Sequence, residues 1–341
     1  MLLITPGFAA NESDDSCIPP LQLLVRGLHN RGEKVQVIAL EYPFRSVPYQ
    51  WHGVPVFPCN GRNRKWLRWR TQARAHRYAK DLIEAGKGSP LNSFWLGQAW
   101  TVGRELAKRF HLPHFTTLMG QDVLMAVNGR YLRRLTAEDA AHLIALSDFQ
   151  AAQFQANTGL KVDKIIPWGI DYSDFENLPP FDKAIDILGV GSLLPVKNWE
   201  MWVRTIALVA RRHPNVQAVL VGDGPELEKI TALIHQLGLT HNIRLTSNLS
   251  RAEVLRRMVS ARVLLHTSRF ESYGYVLAEA AAAGCRIVST PVGIASSVGE
   301  NGIAEQALSE KVMGALAETG RISRMPFLME GTVAAYLQLP S

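Results

Sequence analysis

Val263-Leu264-Leu265-His266-Thr267-Ser268-Arg269-Phe270-Glu271-Ser272-Tyr273-Gly274-Tyr275-Val276-Leu277-Ala278-Glu279-Ala280-Ala281-Ala282-Ala283-Gly284 opens as a short apolar run, crosses a loop with one glycine and closes as a helix of small residues. A strand that feeds a helix is half of a βαβ unit, and the alternation continues in both directions. Downstream lies a strand near Arg286–Ser289; upstream lie strands near Ile185–Val190, Val216–Val221 and Ile243–Thr246. Helical stretches near Asn198–Arg212, Pro225–Leu237, Ala252–Ser260 and Tyr275–Ala283 separate them. The first half repeats the pattern, with strands near Leu2–Thr5, Lys34–Leu40, Phe94–Leu96, His114–Leu118, Ala141–Leu146 and Lys164–Pro167. Between the first two, Leu21, Leu24, Val25 and Leu28 recur at helical spacing. Near-continuous apolar strands that alternate with helices predict parallel sheets covered on both faces.

The proline pair in Asn177-Leu178-Pro179-Pro180-Phe181 reads as a join between two such series. The expected architecture is therefore α/β, with two Rossmann-like doubly wound domains facing across a cleft. The first spans 1–176 and the second 177–325; a last helix near Met329–Leu339, within 326–341, packs back on the first. In such sheets ligands bind beyond the carboxyl ends of the strands.

Composition sets the class. Of 341 residues, 47% are apolar and 20% charged, ample for two cores and too apolar for a disordered chain. No apolar run reaches the ~18 residues of a membrane span. The opening Met1–Gly7 reads as a buried strand, not a signal peptide. Cys17, Cys59 and Cys285 lie far apart without metal-ligand spacing, which suits a reducing cytoplasm. The net charge of +7 is uneven, because residues 62–80 hold eight bases and no acid. That stripe, with Trp66, Trp69 and Tyr78, reads as a solvated helix, as an anionic-membrane or lipid-linked-acceptor contact, or as a nucleic-acid surface. No recognised nucleic-acid module accompanies it.

The loop and helix start after Thr267 would present backbone N–H groups and a positive dipole end to a phosphate. Glu271 and Glu279 would then accept hydrogen bonds from hydroxyls, or else stand as solvated acids beside a helix start. Asp122 follows the strand His114–Leu118 and a glycine, which puts it at a sheet's carboxyl end as a cleft residue or a helix cap. His114 reads as a core histidine. Phosphate-loop, dinucleotide, zinc and serine-hydrolase fingerprints are absent. No Asp-x-Asp occurs, so a metal-free site is expected, with cations and helix dipoles carrying the neutralisation.

The quoted stretch resembles the Glu-x7-Glu motif of family 4 retaining glycosyltransferases, enzymes of GT-B fold. Glu271, the aromatic-glycine pair Tyr273-Gly274, Glu279, the small-residue helix and Gly284 all match, and the likeness runs on through Cys285–Gly293. Val221-Gly222-Asp223-Gly224-Pro225 resembles the family's Gly-Asp-Gly-Pro turn, and Val190-Gly191-Ser192-Leu193-Leu194-Pro195-Val196-Lys197-Asn198 its loop and diphosphate lysine. Ile166-Pro167-Trp168-Gly169-Ile170-Asp171 is similar to its linker-proximal motif. The resemblance implies that Lys197 neutralises the donor diphosphate, Glu271 holds the transferred sugar and Glu279 the ribose. Backbone N–H groups from Tyr273, Gly274, Tyr275 and Val276 would take phosphate oxygens. Gly7, Gly191, Ser192, Gly222 and Gly224 would line the donor. Ser192 stands in place of the family's arginine, Trp168 of asparagine and Met119 of histidine, and Gly7-Phe8-Ala9-Ala10-Asn11 lacks the glycine pair.

The implied activity is retaining, metal-independent, cofactor-free transfer of a hexosyl group. It would run from a nucleotide-diphosphate-sugar to a glycan or lipid-linked acceptor of the cell-envelope polysaccharide type, with Asp122 on the acceptor side. A cytoplasmic protein peripheral at the membrane's inner face is expected. A nucleotide-sugar epimerase or hydrolase, and a non-catalytic nucleotide-sugar or membrane-binding module, stay open as alternatives.

Overall fold

Leu2-Leu3-Ile4-Thr5-Pro6-Gly7 is almost wholly buried because helices cover both faces of the strand it forms. The computed structural model describes residues 1–86, 90–175, 178, 185–320 and 327–340. These form two units, Met1–Gly169 with Met329–Ser341, and Ile170–Leu328. The unit changes at Gly169/Ile170; of the predicted join Asn177–Phe181, all but Leu178 lies outside the described residues.

Unit 1 holds β1 (Leu2–Gly7), β2 (Gln36–Tyr42), β3 (Tyr49–Trp51), β4 (Val54–Pro58), β5 (Leu91–Phe94), β6 (His114–Thr117), β7 (Leu143–Ala145) and β8 (Lys164–Ile165). Their order is β3-β4-β2-β1-β5-β6-β7-β8, parallel except for the β3–β4 hairpin. The sequence pattern misses that hairpin, since Pro55 and Pro58 mask β4 as a turn. It also sets β5 too late, at Phe94–Leu96. Asn92 and Ser93 interrupt the apolar run, yet both are buried, and Ser93 Oγ meets His114 Nε2 at 2.8 Å and Thr116 Oγ1 at 2.7 Å. His114 packs on Gly103 at the start of β6 but is only half-buried, and desolvation pushes its pKa down to about 3. The helix Met329–Leu337 belongs to this unit. Tyr336 shares a 2.6 Å hydrogen bond with Thr117, and Thr332 Oγ1 donates to the Pro167 carbonyl at 2.8 Å.

Unit 2 holds β9 (Ile185–Val190), β10 (Ala218–Val221), β11 (Ile243–Thr246), β12 (Ala261–His266), β13 (Arg286–Ser289) and β14 (Glu300–Asn301). All pair in parallel, in the order β11-β10-β9-β12-β13-β14. That is the 3-2-1-4-5-6 order of doubly wound dinucleotide-binding sheets, and its direction reverses between β9 and β12. Trp199 and Trp202, on the helix Trp199–Arg212, fill the core beside Leu265 and Ile187. Leu308 and Val312 enter the same core from the helix Glu305–Ala317, which the sequence reading did not identify.

Candidate active site

The reversal between β9 and β12 leaves a crevice at their carboxyl ends, where two loops must diverge. The loop after β9 runs from Gly191 to Asn198 and the loop after β12 from Thr267 to Gly274. Hydrogen bonds tie them into one body. Thr267 Oγ1 donates to the carbonyls of Lys197 and Asn198, both at 3.1 Å, and the Arg269 N–H donates to the Val196 carbonyl at 2.8 Å. Trp199 Nε1 donates to the Ser192 carbonyl at 2.9 Å, so the core tryptophan holds the first loop down.

Lys197 and Glu271 meet here. Lys197 Nζ donates to Glu271 Oε1 at 2.5 Å, Ser268 Oγ donates to the same oxygen at 2.8 Å, and His266 Nε2 lies 3.2 Å from it. Burial alone would raise the Glu271 pKa. His266 and Lys197 outweigh it and hold the carboxyl down to about 2. Glu271 is therefore an ionised acceptor with Lys197 as its cation and Ser268 and His266 beside the same oxygen.

The glycines of the two turns have steric reasons. A Cβ on Gly222 would fall 2.0 Å from the Gly191 carbonyl oxygen, and one on Gly224 within 2.9 Å of the Leu193 backbone. The turns after β9 and β10 thus pack backbone to backbone, pinned by Leu193 N–H to the Asp223 carbonyl at 2.8 Å. Gly293 matters likewise, because a Cβ there would fall 2.2 Å from the Tyr273 carbonyl oxygen.

Gly274, at φ 80°, starts the helix Tyr275–Ala282, and no side chain caps it. Tyr273 is buried and its hydroxyl has no protein partner among the described residues. Glu279 is buried on this helix, and desolvation raises its pKa. Its partner is Arg251, which the sequence reading missed. One arm of that guanidinium pairs with Glu279, and the other reaches Asp174 Oδ2 at 2.9 Å. Only spatial proximity links residues 174, 251 and 279; no motif spacing does.

The remaining predicted residues lie in unit 1. Gly7 ends β1 against Cys17 and Tyr42. Asp122 is buried, and its carboxylate accepts the N–H groups of Gly120 at 2.8 Å, Leu96 at 2.9 Å and Met119 at 3.3 Å. Desolvation pushes its pKa up to about 6 despite those bonds. Trp168 is a core residue stacked on Phe94 at 6.2 Å.

Two family models match the chain in succession: Glycosyltransferase Family 4 over residues 21–174 and Glycosyl transferases group 1 over residues 172–319. The GPI3 subunit of phosphatidylinositol N-acetylglucosaminyltransferase from Saccharomyces cerevisiae is 26% identical over 187 residues, 52% of this chain and 41% of that protein. The chain thus spans less than half the length of this relative. Among solved structures, sucrose-phosphate synthase from Thermosynechococcus elongatus superposes with a TM-score of 0.72 at 18% identity, covering 98% of this chain and 94% of that one. Anabaena HepE in complex with UDP-glucose gives 0.65 at 18% identity, covering 99% and 94%. With both halves matched and both sheets doubly wound, the chain belongs to the GT-B glycosyltransferases of the group 1 and family 4 type.

Proposed function

We propose that this protein is a retaining, metal-independent glycosyltransferase that moves a sugar from a nucleoside-diphosphate sugar to an acceptor hydroxyl. One observation carries the reading: Lys197, Glu271 and the uncapped start of the Tyr275 helix share the crevice between β9 and β12. The UDP-glucose bound by HepE, a protein of the same fold, supports the choice of donor class.

An entering diphosphate draws Lys197 from Glu271, and the freed carboxylate oxygen accepts hydroxyls of the sugar. Glu279, kept charged by Arg251, receives the ribose. Arg269, whose Nη2 donates to Asn198 Oδ1 at 3.3 Å, supplies the cation that Ser192 lacks. The acceptor oxygen then bonds to the anomeric carbon on the face the diphosphate leaves, and its proton passes to the departing phosphate oxygen. Positioning and stabilisation of the leaving charge carry the rate, with no metal or cofactor required.

Asp122 is assigned to pinning its loop, since backbone N–H groups occupy its carboxylate. The acceptor is a glycan or lipid-linked hydroxyl, and the basic stripe 62–80 faces an anionic membrane at its cytoplasmic side. No described helix is long and apolar enough to cross a membrane.

The test is turnover of radiolabelled UDP-, GDP- and ADP-sugars with an acceptor panel. Lys197→Ala and Glu271→Ala should each lower transfer by roughly 100-fold or more. Near-normal transfer in both removes the assignment, and freed sugar without transfer points to a hydrolase.

A further inference from the structure

Residues 59–74 of unit 1 line an open hollow, of about 270 Å³, that the proposed transfer chemistry does not use. Its wall is made by Asn60, Arg62, Arg64, Arg70, Arg74 and Trp66. Arg62, Arg64 and Arg70 are exposed and Arg74 is half-buried, so water screens their mutual repulsion and an anion seated among them would be attracted by all four. Among the described residues none of the four forms an ion pair with a carboxylate; Arg62 Nε instead donates to Asn60 Oδ1 at 2.9 Å. Arg74 is fixed, its Nη1 donating to Ser46 Oγ at 2.7 Å and to the Cys59 carbonyl at 2.9 Å.

The loop that carries Arg62 is built at a conformational cost. Asn60, Arg62 and Asn63 all have φ between 56° and 60°, a region that side chains disfavour. Glu41, the nearby acid, holds this loop by accepting the Asn63 N–H at 2.7 Å, and its other oxygen accepts Gln98 Nε2 at 2.7 Å. The turn Lys65–Leu67 leads into the helix Arg68–Glu84, which has no acid in its first turn and no side-chain cap. A helix start of this kind adds positive potential to the same hollow.

The rim is apolar and wet. Trp66 is 64% exposed and Trp69 69%. Phe44 and Val47, 54% and 73% exposed, lie on the 43–48 loop that Arg74 grips through Ser46. Trp66 on the pocket wall and Trp69 under the Arg70 guanidinium stand in water, and rings so placed fit a lipid–water interface, where they sit among headgroups.

We propose that the Arg62–Arg64–Arg70–Arg74 pocket binds a phosphomonoester borne by a lipid, with Trp66 and Trp69 seated in the interface beside it. The planar guanidinium fork suits the several oxygens of a terminal phosphate better than the single charge of a phosphodiester. The proposal deepens the membrane-facing reading of the basic stripe and rests on it.

Vesicle sedimentation tests it without reference to turnover. The full chain is mixed with phosphatidylcholine vesicles carrying either phosphatidic acid or phosphatidylserine, matched for surface charge. Wild type should prefer phosphatidic acid about tenfold or more. Arg64→Gln with Arg70→Gln should erase that preference at an unchanged melting temperature. Arg77→Gln with Lys80→Gln, outside the pocket but on the same stripe, should weaken both compositions equally, by about fivefold per charge, and keep the preference. Trp66→Ser with Trp69→Ser should lower binding to both.

Equal binding of the two compositions by wild type, or a preference that survives in the Arg64/Arg70 variant, overturns the pocket while leaving a diffuse membrane stripe standing. Absence of vesicle binding overturns both. Unchanged binding in the tryptophan variant, or full competition by soluble glycerol 3-phosphate at equal phosphate concentration, overturns the lipid source.

Discussion

Glu271→Gln tests the site's electrostatics most directly, because stability and catalysis are both expected to respond. The side chain is 15% exposed, and its pKa falls from 4.5 to about 2 under His266 and Lys197. At ~1.4 kcal/mol per tenfold shift in protonation, the ionised carboxylate adds about 3 kcal/mol to folding at pH 7. The sign follows from a depressed folded pKa. The contribution is complete above 4.5, decays as pH falls towards 2, and is about 1 kcal/mol at pH 3. Urea unfolding of wild type and Glu271→Gln at pH 7 and pH 3 should therefore show a gap that narrows on acidification. Transfer should fall by roughly 100-fold or more in the same variant. A Glu271→Gln variant as stable as wild type at pH 7, or a gap that does not change with pH, would refute the pairing with Lys197 and His266. Lys197→Met and the double variant complete a cycle, and contact at 2.5 Å predicts coupling of about 1–3 kcal/mol.

Other predictions follow from single contacts. Arg251→Ala strands a buried Glu279, so it should cost about 3–5 kcal/mol in urea unfolding and raise the donor KM more than it lowers kcat. Arg251→Lys should restore part of both. Gly222→Ala drives a methyl to 2.0 Å from the Gly191 carbonyl oxygen, and if UDP raises the Tm of wild type as proposed, the variant should lose that rise. The Asp122 carboxyl carbon should titrate near 6 by NMR, and a midpoint at 3.8 would mean that water reaches it. Arg269→Gln should raise the donor KM about tenfold, as expected for one lost charge-assisted contact.

The sheets of this fold were legible because their strands are buried on both faces. Ile185–Val190, Ile243–Thr246 and Arg286–Ser289 fall where apolar continuity puts them. Failures occur where polarity is buried and locally satisfied. Ser93 belongs in a strand because His114 and Thr116 answer its hydroxyl from the neighbouring strand, a partnership that no window along the chain can contain. Asp122 shows the converse case. A carboxylate after a strand and a glycine reads as a cleft residue or a helix cap, and in the fold it accepts the N–H groups of Leu96, Met119 and Gly120.

The candidate site divides along the same line. Glycine spacing and the two glutamates mark the crevice proposed for the donor, because backbone packing between the turns after β9 and β10 tolerates no side chain. The charge state of those glutamates was not legible. Lys197, from 74 positions away, and His266, from the end of the preceding strand, hold the Glu271 carboxyl down, while burial raises Glu279 against the opposing pull of an arginine 28 positions upstream. Desolvation favours the neutral acid at both positions, and a protonated acid is a poorer acceptor for a sugar or ribose hydroxyl. On the proposed reading, the cations would be as much a condition of donor recognition as the carboxylates. Exchanging Arg251 and Glu279 for an apolar pair would be expected to preserve the fold while losing the donor.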